Sequence, residues 1–206
     1  MDLSEPASMV MPPGTAAVIR VLAGAEDAFT IRQIGRLASV SHARAAQVVA
    51  LLDRHGVVHA EDRGRSRLCT LNREHLATPA LIALVSLRNS MVELLRQEVE
   101  SWAIRPLHSS VFGSAARGDG DVTSDLDVLV IRPDDVGPGT DAWSEQLHST
   151  AGRLRRATGN PVAWFDTSPE ELRLAIAAGE PIVQQWRSDS VHLTGSTLAA
   201  VLREAA

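Results

Sequence analysis

The chain has 206 residues, 45% of them hydrophobic and 22% charged, with a formal net charge of −5. That length holds one full-size domain or two compact ones, at ~100–200 residues each, and the composition excludes disorder over most of the chain. Cys69, the one cysteine, closes no internal disulfide, and all 20 basic residues are arginine, which excludes Schiff-base, lysyl-adenylate and P-loop chemistry.

Met1–Pro13 carries Asp2, Glu5 and three prolines but no basic residue, so no secretory signal is expected there, and it is expected to be a flexible tail (1–13). Apolar runs such as residues 80–87 fall well short of the roughly 20 residues a bilayer requires. The expected location is the cytoplasm.

Charge is unevenly spread. Residues 30–75 hold eight arginines against four acids, a balance of +4, whereas residues 106–206 hold eight arginines against fourteen acids, a balance of −6. A basic segment joined to an acidic one suggests two modules with different ligands.

The first module spans 14–75. Ala17, Val18, Val21 and Leu22 lie at helical spacing. Thr30 with Gln33 has capping-box spacing and starts a second helix, and Ser41 caps a third that runs to about His55. His42, Arg44 and Gln47 face outward on the first turns of that third helix. Two short strands, Val57–Ala60 and Arg67–Leu71, flank a turn holding Arg63 and Arg65 next to Arg67 and read as a hairpin. Helix, helix, turn, helix and a hairpin with a basic tip resembles the winged helix-turn-helix family of bacterial transcription regulators. The resemblance implies double-stranded DNA as a partner. His42, Arg44 and Gln47 would then lie on the recognition helix in the major groove, with Arg63, Arg65 and Arg67 on phosphates. It also implies a homodimer, since one such module reads few bases.

Residues 76–105 read as a linker helix, with Leu81, Leu84, Leu87, Met91, Leu95, Val99 and Trp102 in a wide apolar stripe that ends before Pro106.

The second module, 106–206, is the more informative. Ser109–Phe112 reads as a strand, followed at once by Gly113-Ser114-Ala115-Ala116-Arg117-Gly118, a polar loop, and Ser124-Asp125-Leu126-Asp127 leading into a second strand. Two carboxylates two apart on a strand share one face, about 7 Å apart. The string is similar to the nucleotidyltransferase superfamily that contains DNA polymerase beta and the minimal nucleotidyltransferases, marked by Gly-Ser on a strand-to-helix turn and a following Asp-x-Asp. The resemblance implies an α+β chain: a winged helix-turn-helix, a linker helix, and a polymerase-beta-like α/β domain with a mixed sheet. Its activity would be transfer of an NMP group from an NTP to an acceptor.

In-line displacement at phosphorus builds charge on the attacking and leaving oxygens, which divalent ions held by carboxylates can clamp. Asp125 and Asp127 are hard ligands for Mg²⁺ (or Mn²⁺), while Gly113, Ser114 and Arg117 suit the phosphates. The family usually adds a third carboxylate on a later strand, here Val162–Asp166. Aligned by its first apolar residue, that strand has Ala163 at the position. Asp166 is the remaining candidate for a third catalytic and metal ligand, although its pleat parity is opposite. The alternative is a transcriptional regulator whose degenerate nucleotidyltransferase domain only binds nucleotide. The minimal branch also includes antitoxin-type enzymes that modify a partner toxin.

After Val162–Asp166 the sequence predicts a helix over 169–179, an extended piece at Gln184–Trp186, an edge strand at Val191–Thr194 and a closing helix.

Overall fold

The computed structural model describes residues 1–64 and 66–204; Arg65, assigned above to DNA contact, lies outside the described residues. Contacts divide the chain into two compact units, one of Glu5–Leu87 and one of Met1–Ser4 with Arg88–Ala206.

The N-terminal unit runs α1 (Pro13–Ala23), β1 (Phe29–Thr30), α2 (Ile31–Leu37), α3 (His42–Arg54), β2 (Val58–Arg63), β3 (Ser66–Leu71) and α4 (Thr78–Val85). Helix α2 starts on a reciprocal cap. The Gln33 N–H donates to Thr30 Oγ1 at 3.2 Å, and the Thr30 N–H donates to Gln33 Oε1 at 2.8 Å. The Arg44 N–H donates to Ser41 Oγ at 3.2 Å and fixes the start of α3 in the same way. The three strands form an antiparallel sheet in the order β1-β3-β2. Val18, Ile19 and Leu22 of α1 pack with Ile34, Val48, Val49, Val58 and Cys69. Burial pushes the Cys69 thiol up, so it serves as a small apolar core group.

Two expectations need correction. Residues 1–13 are not a loose tail: Leu3 and Ala7 are fully buried, and Pro6–Met9 forms a 3-10 turn started by its proline. The N–H groups of Leu3 and Ser4 both donate to the Gly120 carbonyl, at 3.0 and 2.9 Å. The linker is two helices, α4 and α5 (Leu87–Glu100), divided at Ser86. There the Ser86 N–H is shared between the Ile82 and Ala83 carbonyls, which tightens the last turn and ends α4.

The C-terminal unit continues from α5 through β4 (His108–Phe112), α6 (Gly113–Arg117), β5 (Leu126–Ile131), α7 (Asp141–Thr158), β6 (Val162–Thr167), α8 (Pro169–Ala178), α9 (Pro181–Asp189), β7 (Val191–Gly195) and α10 (Leu198–Glu204). Its sheet has the order β6-β5-β4-β7 and is mixed: β5 and β6 are parallel, and the other pairs antiparallel. The pleat sorts the side chains onto two faces. Val111, Leu126, Val128 and Val130 pack with Met91, Leu95, Val99, Trp143 and Leu154 of α5 and α7. Phe112, Leu129 and Ile131 pack with Leu172, Val183, Trp186, Val201 and Leu202 of α8, α9 and α10. The chain is thus α+β.

The segment expected to be extended at Gln184–Trp186 lies inside α9. Pro181 occupies its first turn, and Val183 and Trp186, three residues apart, are the buried side chains. Among the described residues, no single helix is long and apolar enough to cross a membrane.

Candidate functional site

Strand β4 runs straight into α6, and Phe112, its last residue, is the register partner of Asp127 on β5. The next residue, Gly113, has φ +65°, and a Cβ placed there would sit 2.5 Å from Asp127 Oδ2. Only glycine accepts both that backbone conformation and that approach. The Gly-Ser turn and the second aspartate are therefore packed against each other. Ser114 is half-buried. Its carbonyl accepts the N–H groups of Gly118 at 2.8 Å and Asp119 at 3.2 Å, which closes the five-residue α6.

Asp125 is exposed just before β5, and Asp127 is half-buried within it. Burial first, and then the charge of Asp125, push the Asp127 carboxyl above the ordinary range, with Arg117 pulling the other way.

The loop that delivers these acids is fastened at both ends. Asp121 accepts from the Thr123 N–H at 2.8 Å and the Thr123 hydroxyl at 2.7 Å, and the Asp121 N–H donates to Ser124 Oγ at 2.9 Å. The side-chain amide of Asn160, fully buried, donates to the Ser124 carbonyl at 2.9 Å and to the Met1 carbonyl at 3.1 Å. In the sequence Asn160 stands between Gly159 and Pro161, a turn composition. Nothing local in the sequence marks it as a clamp, because both acceptors are remote.

Arg117, expected on phosphates, is held by two carboxylates. Its Nε and Nη2 donate to the two Asp119 oxygens at 2.9 and 3.2 Å, and Nη1 donates to Asp189 at the end of α9. Asp119 and Asp189 carried no sequence signal of this role.

Asp166 does not join the pair. Its register partner is Val130, and the pleat turns it to the face that carries α7. There it accepts from Arg132 Nη1 at 3.0 Å and Trp143 Nε1 at 3.1 Å. Arg132, whose side chain is 3% exposed, also donates to Glu171 at 2.7 Å. Asp166 is thus the counter-ion of a buried guanidinium, and the expectation of a third ligand at this residue is corrected. Beside Asp127 in the parallel ladder stands Ala163.

Among the described residues, no group of three or more His, Cys, Asp or Glu side chains could hold a metal ion. Two carboxylates of like charge on one face, one of them raised by burial and then by its neighbour, still fit a hard cation. Mg²⁺ is commonly held by one or two carboxylates, with substrate phosphates and waters filling the rest of its shell.

Of the residues expected on DNA, His42, Arg44 and Gln47 lie on α3, and Arg63 and Arg67 on the two strands of the hairpin. His42 and Gln47 are exposed and Arg44 is half-buried. Arg44 donates to Gln47 Oε1 at 2.9 Å and to Thr15 Oγ1 at 3.3 Å. Arg67 pairs with Asp53 at 2.8 Å and Arg63 with Glu61 at 3.5 Å. Both pairs are solvent-exposed, and such pairs hold their partners weakly.

Residues 92–155 match the family model described as a nucleotidyltransferase domain. The matched span includes Gly113, Ser114, Arg117, Asp125 and Asp127, and it ends before Ala163 and Asp166. No curated protein matches the chain. Two solved structures are similar to it. One, described as a toxin–antitoxin with AMP-PNP, has 21% identity and a TM-score of 0.37 over 57% of this chain and 82% of that chain. The other, a mutant of the toxin–antitoxin MntA-HpeT, has 19% identity and a TM-score of 0.37 over the same shares, 57% and 82%.

Proposed function

We propose that the C-terminal unit is a nucleotidyltransferase that moves an NMP group from an NTP to an acceptor hydroxyl or protein side chain and releases pyrophosphate. The observation that carries this reading is the contact between Gly113 and Asp127, where a Cβ would stand 2.5 Å from the carboxylate. Asp125 and Asp127 would hold Mg²⁺ or Mn²⁺, and the ion when bound supplies charge neutralisation on the phosphate oxygens. Ser114 follows Gly113 in that turn, and its hydroxyl would donate to a phosphate. Arg117 reaches a phosphate by exchanging one carboxylate partner for another anion, since a guanidinium binds either in the same fork geometry.

Calorimetric titration with each NTP in Mg²⁺ tests the site. Binding is expected for the wild type and lost in Asp127→Ala; equal binding by the variant overturns the assignment. Labelled NTP incubated with protein and cell lysate then tests transfer.

A second reading has a specific observation behind it. Ala163 stands beside Asp127 and Asp166 is committed to Arg132, so the acidic set is a pair. A domain of that kind can bind nucleotide as a sensor without turning it over. NTP binding without any label transfer to lysate supports the sensor.

For the N-terminal unit we infer double-stranded DNA binding by a winged helix-turn-helix, with His42, Arg44 and Gln47 on α3 and Arg63, Arg65 and Arg67 at the hairpin. The +4 balance over residues 30–75 and the order of helices and hairpin support it. In a gel shift on DNA upstream of the protein's own gene, replacing the three hairpin arginines by alanine should weaken binding and flatten its salt dependence. An unchanged shift removes the hairpin from the interface. The expected homodimer is read by light scattering.

A further inference from the structure

Arg44 does not stand on the outward face of α3. Ala45, Val48, Val49 and Leu52 are the buried side chains of this helix. Ala43, Gln47, Ala50 and Arg54 recur at helical spacing, are exposed, and share the opposite face. Arg44 lies on the flank between the two and is half-buried. Its side chain is laid against the first turn of α1: a Cβ at Gly14 would stand 3.2 Å from Arg44 Nε and 3.6 Å from Arg44 Cγ. There its two terminal nitrogens are separately engaged. Nη2 donates to Thr15 Oγ1 at 3.3 Å, and Nη1 donates to Gln47 Oε1 at 2.9 Å.

The bond to Gln47 decides what that glutamine can offer. A hydrogen bond from a guanidinium is charge-assisted and stronger than one between neutral groups. A side-chain amide is planar, with its oxygen and its NH₂ on opposite sides of one carbon. An oxygen turned to Arg44 therefore leaves the NH₂ pointing away from it. A glutamine with both ends of its amide free reads adenine as a fork, accepting from N6 and donating to N7. With its oxygen held by Arg44, Gln47 loses that fork and presents two donors. Guanine, whose N7 and O6 both accept in the major groove, fits them, whereas the exocyclic amines of adenine and cytosine meet no acceptor. The rest of the outward face has the same character. Arg54 brings only donors, and Ala43 and Ala50 bring methyl groups, which suit the C5 methyl of thymine.

We propose that Arg44 is a positioning residue that makes Gln47 a pure donor, so that α3 selects guanine over adenine at the base pair Gln47 meets. This rests on the DNA-binding reading above and gives Arg44 its role there: it acts through Gln47 and does not itself touch the base.

Selection by the full-length protein from a pool of duplexes with a randomised centre reads the base directly. At one position of the enriched site guanine should be favoured about tenfold over adenine, the scale of one good side-chain-to-base pair. Gln47→Ala should lose that preference. Replacing that guanine by 7-deazaguanine, which lacks the N7 acceptor, should weaken binding by the wild type and leave Gln47→Ala unaffected; neither arm requires a change at Arg44. Arg44→Met keeps the stem against α1 but releases the amide, and should shift the same position toward adenine. Arg44→Lys, the milder change should Arg44→Met not fold, keeps one charged donor and should retain part of the guanine preference. A role in folding alone would lower the melting temperature without moving the base. Adenine favoured by the wild type at the Gln47-dependent position overturns the proposal, and so does full guanine preference in Arg44→Met. Loss of guanine in Arg44→Met with no gain of adenine overturns it too, because Arg44 would then read the base itself. An enriched site in which no position depends on Gln47 overturns the assignment and leaves DNA binding standing. Absence of any duplex binding takes down both.

Discussion

Asp127 on β5 and Ala163 on β6 are register partners in the parallel pair of the sheet, so a methyl group stands beside the half-buried carboxylate. A carboxylate at 163 would share that face with Asp125 and Asp127. Ala163→Asp should destabilise the metal-free protein by ~0.2–1 kcal/mol, the scale of like charges placed opposite each other in a sheet. Saturating Mn²⁺ should more than restore it, since a ligand at 100 times its Kd stabilises by ~2.7 kcal/mol. Melting in EDTA and in Mn²⁺ measures both. A Mn²⁺ shift no larger than that of the wild type removes Ala163 from the metal site.

Gly113→Ala tests the turn. The variant holds a side chain at φ +65° and drives a Cβ into Asp127. Strain of that kind costs about 1–3 kcal/mol. The melting temperature should fall, and Mg²⁺-dependent NTP affinity should fall with it, because Asp127 must move. A stability loss with unchanged NTP affinity would separate the turn from the site.

Asp166→Ala gives the opposite pattern. It strips a buried arginine of one counter-ion, a change of about 3–5 kcal/mol when no partner remains. Glu171 still holds Arg132 in this case, so the loss belongs at the low end. NTP affinity of the folded variant should stay at the wild-type value. Asp166→Asn, which can still accept from Trp143 Nε1, should be milder. Calorimetry on both variants decides, and loss of metal-dependent binding would return Asp166 to the site.

These residues also show how far the sequence could be read. The caps at Thr30 and Ser41, the Gly113-Ser114 turn, the paired acids and the parity of Asp166 are local facts, set by spacings of two to four residues, and all are legible. What escaped is non-local. Arg117 meets Asp189 across 72 positions, and Asn160 reaches Met1 across 159. Leu3 is buried by residues far along the chain. The helix at Pro181 was obscured for a different reason: its short Val183–Trp186 stripe is too brief to distinguish from an extended piece.

His108 makes stability depend on pH. Desolvation is the main cause of its lowered pKa, so its folded value lies below the ordinary 6.5. The unfolded chain then binds the proton more readily, and stability falls as pH drops from above 6.5 toward the folded value. Between pH 7.5 and 5.5 the melting temperature should decline, and His108→Gln should flatten that slope. The carboxylates of Asp121, Asp189 and Glu171, all held low, act in more acidic solution. An equal slope in the variant assigns the effect elsewhere.

The placement of Met1–Ser4 has a practical corollary. These four residues belong to the C-terminal unit, and the whole N-terminal unit is an insertion between them and Arg88. No single backbone cut can liberate either module whole. A fragment beginning at Arg88 forfeits the two amides on the Gly120 carbonyl and the Met1 carbonyl on Asn160. The loop that carries Asp125 would come untied through the loss of four residues that lie more than a hundred positions upstream of it. Supplying the missing tetrapeptide through a short glycine-serine splice ahead of Arg88 should re-tie it.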